Sequence, residues 1–202
     1  GVGDHILYTL TGVEKEKVLR WAALLHDIGK PVTRTTDEQG IDHFHGHAKV
    51  GAEMANGILR RLKFDNDTRK RIVKLVEVHD DRQIPLNHRG VRRAIHRIGA
   101  ELFPDYLKLR RADSMAQNPA LLKEKLENID ETERLYNEIL AARNCLSLKD
   151  LAVTGRDLID AGVKPGPGLG IILNRMLEAV IEHPEYNTKE YLLERILPLV
   201  SS

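Results

Sequence analysis

One apolar helical segment that ends in a His-Asp pair constrains this chain most. Residues 19–31 spell Leu-Arg-Trp-Ala-Ala-Leu-Leu-His-Asp-Ile-Gly-Lys-Pro, so the apolar run stops at His26 and Asp27, just before Gly29 and Pro31. A helix that is apolar on nearly every side is buried, and it carries these two polar side chains into a core. A buried imidazole and a buried carboxylate need a partner, which is either a hydrogen bond between them or a metal ion.

The composition describes a soluble globular protein of one large domain, or of one domain with an appendage. Of the 202 residues, 42% are apolar and 30% are charged, and the net charge is only +1, so any anion-binding surface must come from local arrangement. The single cysteine, Cys145, excludes an internal disulfide and a cysteine-based zinc site, which fits a cytoplasmic protein. No apolar run is long enough to span a membrane, so we expect no membrane contact. Because the chain starts at Gly1 without methionine, we expect it to be a segment of a longer polypeptide.

Helical periodicity dominates the chain and predicts an all-α protein. Between residues 32 and 44 we expect a small β-hairpin or a long active-site loop. The sequence predicts a first domain over residues 1–145 and a small helical tail over 146–202. In the first domain we expect helices at about 2–10, 13–28, 47–62, 65–79, 89–98, 102–116 and 119–143. In the tail we expect helices at about 154–161, 169–182 and 188–197.

Separated helices each offer an imidazole or a carboxylate. The candidates are His5, His26, Asp27, His47, His79 and Asp113. Nitrogen and oxygen donors from distant segments are what a closed metal site needs. The alternative is that these side chains only cap helices or form hydrogen bonds with one another in the core.

The order of His5, His26-Asp27 and Asp113 resembles the pattern of the HD-domain superfamily of metal-dependent phosphohydrolases, over about residues 1–116. More closely, the whole chain resembles the HD-containing region of bacterial tRNA nucleotidyltransferases, the CCA-adding or poly(A)-polymerase-like enzymes. The matching stretches are Leu-Leu-His-Asp-Ile-Gly-Lys-Pro (24–31), His-Phe-His-Gly-His-Ala (43–48), Leu-Arg-Arg-Leu-Lys-Phe (59–64), Val-Arg-Arg (91–93), Arg-Ala-Asp (111–113), Thr-Gly-Arg-Asp-Leu (154–158) and Pro-Gly-Pro-Gly-Leu-Gly (165–170). The catalytic head of that family is not recognisable, because no Gly-Ser turn precedes paired Asp-x-Asp carboxylates in a predicted sheet.

The resemblance implies an HD-domain helical bundle with a metal centre. His5, His26, Asp27 and Asp113 would bind a first ion, and Asp27 would bridge to a second ion held by His47 and His79. The mixed donors suit manganese, nickel, iron, cobalt, zinc or magnesium. Asp27 and Lys30 are then the catalytic candidates, with Lys30 facing a phosphate; alternatively, Lys30 is an exposed lysine at a helix C-terminus.

Phosphate or RNA contacts are expected at two further places. Phosphates could be bound by two-pronged hydrogen bonds from Arg89, Arg92 and Arg93; alternatively, these residues form an ordinary solvated helix face. Gly168 lies in the glycine-rich turn, which either presents backbone amides to an RNA phosphate or is only a rigid turn. The remaining candidates are expected in loops, at helix ends or on the surface: His43, His45, Asp80, His88, His96 and His183.

Two functions follow. The first is a metal-dependent phosphohydrolase that acts on phosphomonoesters, nucleotides or cyclic phosphodiesters, with a nucleotide or RNA-end phosphate as substrate. The second is a noncatalytic tRNA-binding body and tail of a CCA-adding enzyme, in which the metal site is structural. A nucleotide-signalling hydrolase of the same superfamily is a third class, which the tail match does not favour. The sequence leaves the oligomeric state open.

Overall fold

A computed structural model describes residues 1–81, 83–117 and 119–201 and shows a mostly helical protein with one two-stranded hairpin. In chain order the elements are α1 (Val2–Gly12), α2 (Lys17–Leu25), α3 (Lys30–Thr33), β1 (Thr35–Thr36), β2 (Asp42–His43), α4 (His47–Arg61), α5 (Asn66–Val78), α6 (His88–Ile98), α7 (Phe103–Met115), α8 (Leu122–Ala141), α9 (Gly155–Asp160), α10 (Gly168–Glu182), α11 (Lys189–Tyr191) and α12 (Leu197–Val200). The predicted helical fold is confirmed. No described helix is long and apolar enough to cross a membrane.

The predicted hairpin is also confirmed. β1 and β2 are antiparallel, with Thr35 opposite His43 and Thr36 opposite Asp42. The side chain of Asp37 closes the turn, because its Oδ1 accepts hydrogen bonds from the backbone amides of Gln39 and Ile41, each at 2.9 Å.

The prediction of one continuous helix over residues 13–28 is wrong at both ends. α2 begins only at Lys17, because the Glu16 carboxylate accepts a 2.8 Å hydrogen bond from the amide of Leu19 and so caps the helix. At the other end α2 stops at Leu25, and residues 26–29 form a turn before α3. The His-Asp pair therefore lies just past the helix, where its side chains are not confined to one helical face.

The predicted single helix over 188–197 is also divided. A π-helical segment, Leu192–Ile196, separates α11 from α12. Pro198 has no amide hydrogen to donate to the carbonyl four residues earlier, so regular α-helical bonding cannot continue through it. The wider turn before Pro198 accommodates this lost bond.

The described residues group into two compact units. The first contains Gly1–Ile84 and Glu101–Glu133. Within it α4 packs on α5, α1 on α7, and α2 on both α5 and α7. Leu59, Leu75 and Phe103 are fully buried in its core. The metal-ligand candidates all belong to this unit.

The second unit contains Pro85–Ala100 and Arg134–Ser202. Its central helix is α10, which packs on α6, α9 and α12. Ile95 and Met176 are fully buried in this unit. The domain boundary expected at 145/146 lies inside the unit and stays a prediction about the organisation of the sequence.

Candidate metal centre

The turn after α2 delivers His26 and Asp27 to the middle of the first unit. The His26 side chain is fully buried and that of Asp27 is 1% exposed. Four other side chains converge on this pair from different segments: His5 from α1, His47 from the start of α4, His79 from the end of α5 and Asp113 from α7. The structure thus brings together all six residues that the sequence suggested.

Backbone carbonyls fix which nitrogen each imidazole turns inward. The Nδ1 atoms of His26, His47 and His79 donate to the carbonyl three residues earlier in the chain, at 2.7, 2.9 and 2.7 Å. The Nδ1 atom of His5 donates to the Ala116 carbonyl at 3.2 Å. Because a carbonyl only accepts, each Nδ1 carries a proton, and in a neutral ring the Nε2 lone pair then faces the cluster. Metal-binding histidines are commonly oriented in this way.

The first group of ligand atoms surrounds Oδ2 of Asp27. This oxygen lies 3.5 Å from Nε2 of His5 and 3.4 Å from Nε2 of His26. Oδ1 of Asp113 lies 2.8 Å from Nε2 of His5 and 3.6 Å from Nε2 of His26. His5 is the most exposed of the four, with 15% of its side chain accessible.

The second group uses the other oxygen of the same carboxylate. Oδ1 of Asp27 lies 3.5 Å from Nε2 of His47 and 3.5 Å from Nε2 of His79. Asp27 therefore stands between two imidazole pairs and faces each with a different oxygen. The donors of His5, His26 and Asp27, and those of Asp27, His47 and His79, are close enough together to hold a metal ion.

Contacts between imidazole nitrogens show that the cluster needs a positive charge. The Nε2 atoms of His5 and His26 are 3.3 Å apart, and those of His47 and His79 are 3.2 Å apart. Two lone pairs repel at such distances, so each pair requires either a proton on one ring or a cation between the rings. The donors fit a divalent ion, because neutral imidazoles and carboxylates are common ligands of such ions.

In the His5–His26 pair, the electrostatics of the protein alone favour a proton on one ring, that of His26. Burial lowers the pKa of His26, but hydrogen bonds to Asp113 and Asp27 outweigh it and raise this pKa to about 9. Burial raises the pKa of Asp27, but hydrogen bonds from His26, His79 and Lys30 hold it well below its usual range. Burial lowers the pKa of His47 and so favours the neutral ring that can act as a ligand.

Lys30 lies beside the cluster and contacts it directly. Its Nζ donates a 2.6 Å hydrogen bond to Oδ2 of Asp27, and its side chain is 22% exposed. The ammonium thus offsets the negative charge of Asp27 at the edge of the centre. This position, near both Asp27 and solvent, is compatible with contact to an incoming phosphate.

Sequence reasoning missed a positioning residue, Gln117. Its Nε2 donates to both oxygens of Asp113 at 3.0 Å, while its Oε1 accepts a hydrogen bond from Lys125. Asp113 is thereby oriented toward His5 through a chain of hydrogen bonds that begins on α8. Gln117 lies two residues past the end of α7, so no helical spacing in the sequence indicated this contact.

Gly29 has a steric role that explains its place in the motif. A Cβ atom at this position would lie 2.1 Å from the carbonyl oxygen of His47 and 2.8 Å from the amide nitrogen of Gly51. The backbone of the His-Asp turn therefore touches the backbone of α4. This contact sets how close His47 comes to Asp27.

The arginines expected to clamp phosphates lie in the second unit and contact carbonyl and carboxylate groups at the end of α10 in the same unit. Arg92 is 8% exposed and donates to the carbonyls of Ile181 and Glu182 at the end of α10. Arg93 forms a two-pronged ion pair with the Glu182 carboxylate, and Arg89 lies 3.6 Å from the same group. The clamp formed by these three residues therefore remains a prediction, and the solvated-face alternative does not describe the buried Arg92.

The other candidates lie outside the cluster. His43 pairs with Asp37 at 2.8 Å in the hairpin and stacks on the ring of His45. Gly168 is exposed at the first turn of α10. Exposed positions are also found for Asp80, His88 and His96, whereas His183 is half-buried and stacks on Tyr186.

Comparison with known proteins places the chain in a family. The A-adding tRNA nucleotidyltransferase of Deinococcus radiodurans is 35% identical over 169 residues, which are 82% of this chain and 38% of that protein. The CC-adding tRNA nucleotidyltransferase of Thermus thermophilus is 36% identical over 164 residues, 81% of this chain and 36% of that protein. This chain thus spans well under half the length of either relative. Residues 32–196 match the model of a family described as tRNA nucleotidyltransferase domain 2. Because that match covers most of its length, the chain belongs to this family.

Proposed function

We propose that this chain is a tRNA-binding body and tail of a tRNA nucleotidyltransferase, in which the His-Asp cluster is a structural metal centre. The observation that carries the proposal is the family match over residues 32–196, which includes residues of both compact units. Both relatives named above are tRNA nucleotidyltransferases. Nucleotide addition is not assigned to these residues, since they lack a recognisable Gly-Ser turn with paired carboxylates in a sheet.

In the tail, the start of α10 is the proposed RNA contact. Gly168 opens a helix of 15 residues and follows Gly166, whose φ of 151° lies in the region that favours glycine. Amides at such a helix start point outward and attract phosphate. Lys164, in the turn before it, would add positive charge. Arg89 and Arg93 would contact RNA phosphate only if the phosphate displaced the Glu182 carboxylate with which they are paired.

Direct binding tests this proposal. A fluorescein-labelled tRNA transcript without its terminal CCA is titrated with the chain at several salt concentrations. We expect saturable binding whose affinity falls as salt rises, because phosphate contacts release counterions. Binding that is absent at 50 mM salt, or independent of salt, would contradict a tRNA-binding role.

The metal part of the proposal rests on the geometry of Asp27. Its two oxygens face two imidazole pairs whose side chains are between 0% and 15% exposed. We propose that His5, His26, Asp27 and Asp113 hold one divalent ion and that His47, His79 and Asp27 hold a second. Closed coordination of this kind suits an ion that stabilises a fold.

Phosphohydrolase activity is a second candidate, and the accessible edge of the centre favours it. His5 and Lys30 are the partly exposed members of the cluster, so a phosphate could approach between them. A divalent ion held there would acidify a bound water molecule. The protein would contribute the carboxylate of Asp27 to orient the ion, and the Lys30 ammonium to offset charge on the phosphate. Substrates would be phosphomonoesters, nucleotides or cyclic phosphodiesters at RNA ends.

Turnover distinguishes the two roles of the centre. The chain is incubated with manganese or nickel and with 2′,3′-cyclic AMP or bis(p-nitrophenyl) phosphate. A hydrolase is expected to show metal-dependent turnover that Asp27→Ala abolishes. If the metal-loaded chain gives no turnover above the Asp27→Ala background, the hydrolase candidate is rejected.

A further inference from the structure

Two adjoining clefts lie in the first unit, one along the C-terminal half of α4 and the other between the end of α4 and the start of α5. The larger has a volume of about 570 Å³ and is lined by Glu53, Met54, Gly57, Ile58, Arg60 and Arg61. The smaller has about 510 Å³ and is lined by Arg60, Phe64, Asn66 and Arg69. Arg60 lines both, so a recess that contains the apolar side chains of Met54 and Ile58 adjoins a mostly cationic one.

The charge of the clefts is mostly positive and is incompletely neutralised. Their charged lining residues are three arginines and one carboxylate, Glu53. The Arg69 guanidinium is held by the amide oxygens of Asn56 at 3.0 Å and Asn66 at 2.8 Å. Because amide oxygens are neutral, they orient this guanidinium without cancelling its charge. An oriented guanidinium suits two-pronged phosphate binding.

Gly57 lines the larger cleft, and Lys63 directly precedes Phe64, which lines the smaller one; neither residue type is the one that its backbone position favours. Gly57 is exposed inside α4, where an added Cβ atom would meet nothing within 4 Å, so a larger residue would fit and favour the helix. Lys63 lies two residues past the end of α4 and has a φ of 58°, a left-handed conformation that favours glycine. Gly57 thus occupies a position where a larger residue would stabilise α4. Lys63 occupies a position where glycine would be more stable. Gly57 leaves the larger cleft open, and Lys63 adds a cation next in sequence to Phe64 of the smaller one.

We infer that the two clefts bind one unpaired nucleotide of an RNA strand. The base would occupy the recess of Met54, Gly57 and Ile58, and the phosphate would contact Arg60, Lys63 and Arg69. A base has planar π-faces that can pack on Met54 and Ile58, and it is attached to an anionic phosphate that suits the arginines. An acidic side chain offers the negative charge but no comparable planar face. The inference rests on the proposed tRNA-binding function and adds a site on the body to the contacts proposed for the tail.

The inference is tested with variants that place the residue type favoured by the backbone at positions 57 and 63. Gly57→Leu fills the larger cleft, and Lys63→Gly removes a cation, yet both are expected to keep or raise the melting temperature. Each should weaken binding of the labelled tRNA transcript by roughly three- to tenfold at 0.1 M salt, because a contact with the base or a phosphate is lost. The matched control is Lys123→Gln, which removes a cation that is 90% exposed on α8 and should leave affinity nearly unchanged.

The salt dependence supplies a second readout. In the double variant Arg60→Gln with Arg69→Gln, the slope of log affinity against log salt should fall by about 1.4, or 0.7 for each lost single-strand phosphate contact. If the wild-type chain does not bind tRNA, both the proposed function and this inference fail. If the wild type binds, but folded Gly57→Leu, Lys63→Gly and the double variant bind equally well, only the inference fails. The inference also fails if the wild type binds polyglutamate and the variants lose that binding but bind tRNA as the wild type does. That result would indicate an acidic protein partner.

Discussion

At the scale of single residues, hydrogen bonding to the backbone decides how the candidate centre works. Each Nδ1 of the four histidines is engaged by a carbonyl, which leaves every Nε2 to face Asp27 or its neighbours. The sequence indicated the ligand residues but not this orientation. The orientation depends on carbonyls that happen to lie three residues back at a helix end, or on the neighbouring helix for His5. Gln117 was missed for the same reason, since its role exists only through Asp113.

Gly29→Ala tests the contact between the His-Asp turn and α4. A methyl group would overlap the carbonyl of His47, so the two backbones must separate. We expect a loss of about 3 kcal/mol in the free energy of unfolding, at the upper end of the cost of overpacking, together with weaker metal binding. Urea denaturation measures the first effect. Gly3→Ala, where a Cβ meets nothing within 4 Å, is the control; equal stability of the Gly29 and Gly3 variants would refute the contact.

Cys145 provides a prediction about pH. Burial raises the pKa of its thiol to about 11, so the thiolate is scarce in the folded protein at pH 8. We expect iodoacetamide to label native Cys145 at least about a hundredfold more slowly than the urea-unfolded chain. Since the folded pKa is the higher one, the stability linked to this thiol is present below its unfolded pKa of about 8.5 and is lost as pH rises toward 11. Fast native labelling at pH 8 would show that the thiol is not protected.

At the scale of elements, capping side chains set where the helices begin. Thr154 accepts from the amide of Asp157, and the Asp157 carboxylate accepts in return from the amide of Thr154. We expect Thr154→Ala to cost about 1 kcal/mol of unfolding free energy. Thr11→Ala, whose hydroxyl only donates to the carbonyl of Tyr8, should cost clearly less. Chemical denaturation of both variants measures the difference, and equal losses would mean that the cap does not stabilise α9.

Element positions were more predictable than element ends. The hairpin follows from turn chemistry that the sequence displays, and the structure contains it. The late start of α2 could not be predicted, because Glu14, Lys15 and Glu16 look like a solvent-exposed first helical turn. Only the structure shows that the Glu16 carboxylate caps α2 by accepting from the amide of Leu19. Burial of Arg92 was equally hidden, since only packing on α10 shows that its donors serve backbone carbonyls. Local patterns therefore predict which segments are helical, whereas contacts with distant segments decide what their polar side chains do.

At the scale of the whole molecule, the centre connects segments that are far apart in sequence. His5 and Asp113 are 108 residues apart, and the other ligands come from between them. An ion bound only in the folded state stabilises it by mass action, by about 2.7 kcal/mol when free metal exceeds the dissociation constant a hundredfold. We therefore expect EDTA treatment to lower the melting temperature by about 5 °C or more and manganese to restore it. A melting temperature unaffected by both reagents would exclude a structural role for the ion.

The metal content of the loaded and gel-filtered chain, measured by elemental analysis, tests the central claim most directly. If Asp27 bridges two ions, the wild type should retain two ions per chain, His79→Gln should retain one, and Asp27→Asn should retain few or none, since it removes the charge shared by both groups. Lys123→Gln should match the wild type. Equal metal content in the wild type, His79→Gln and Asp27→Asn would contradict the proposed centre.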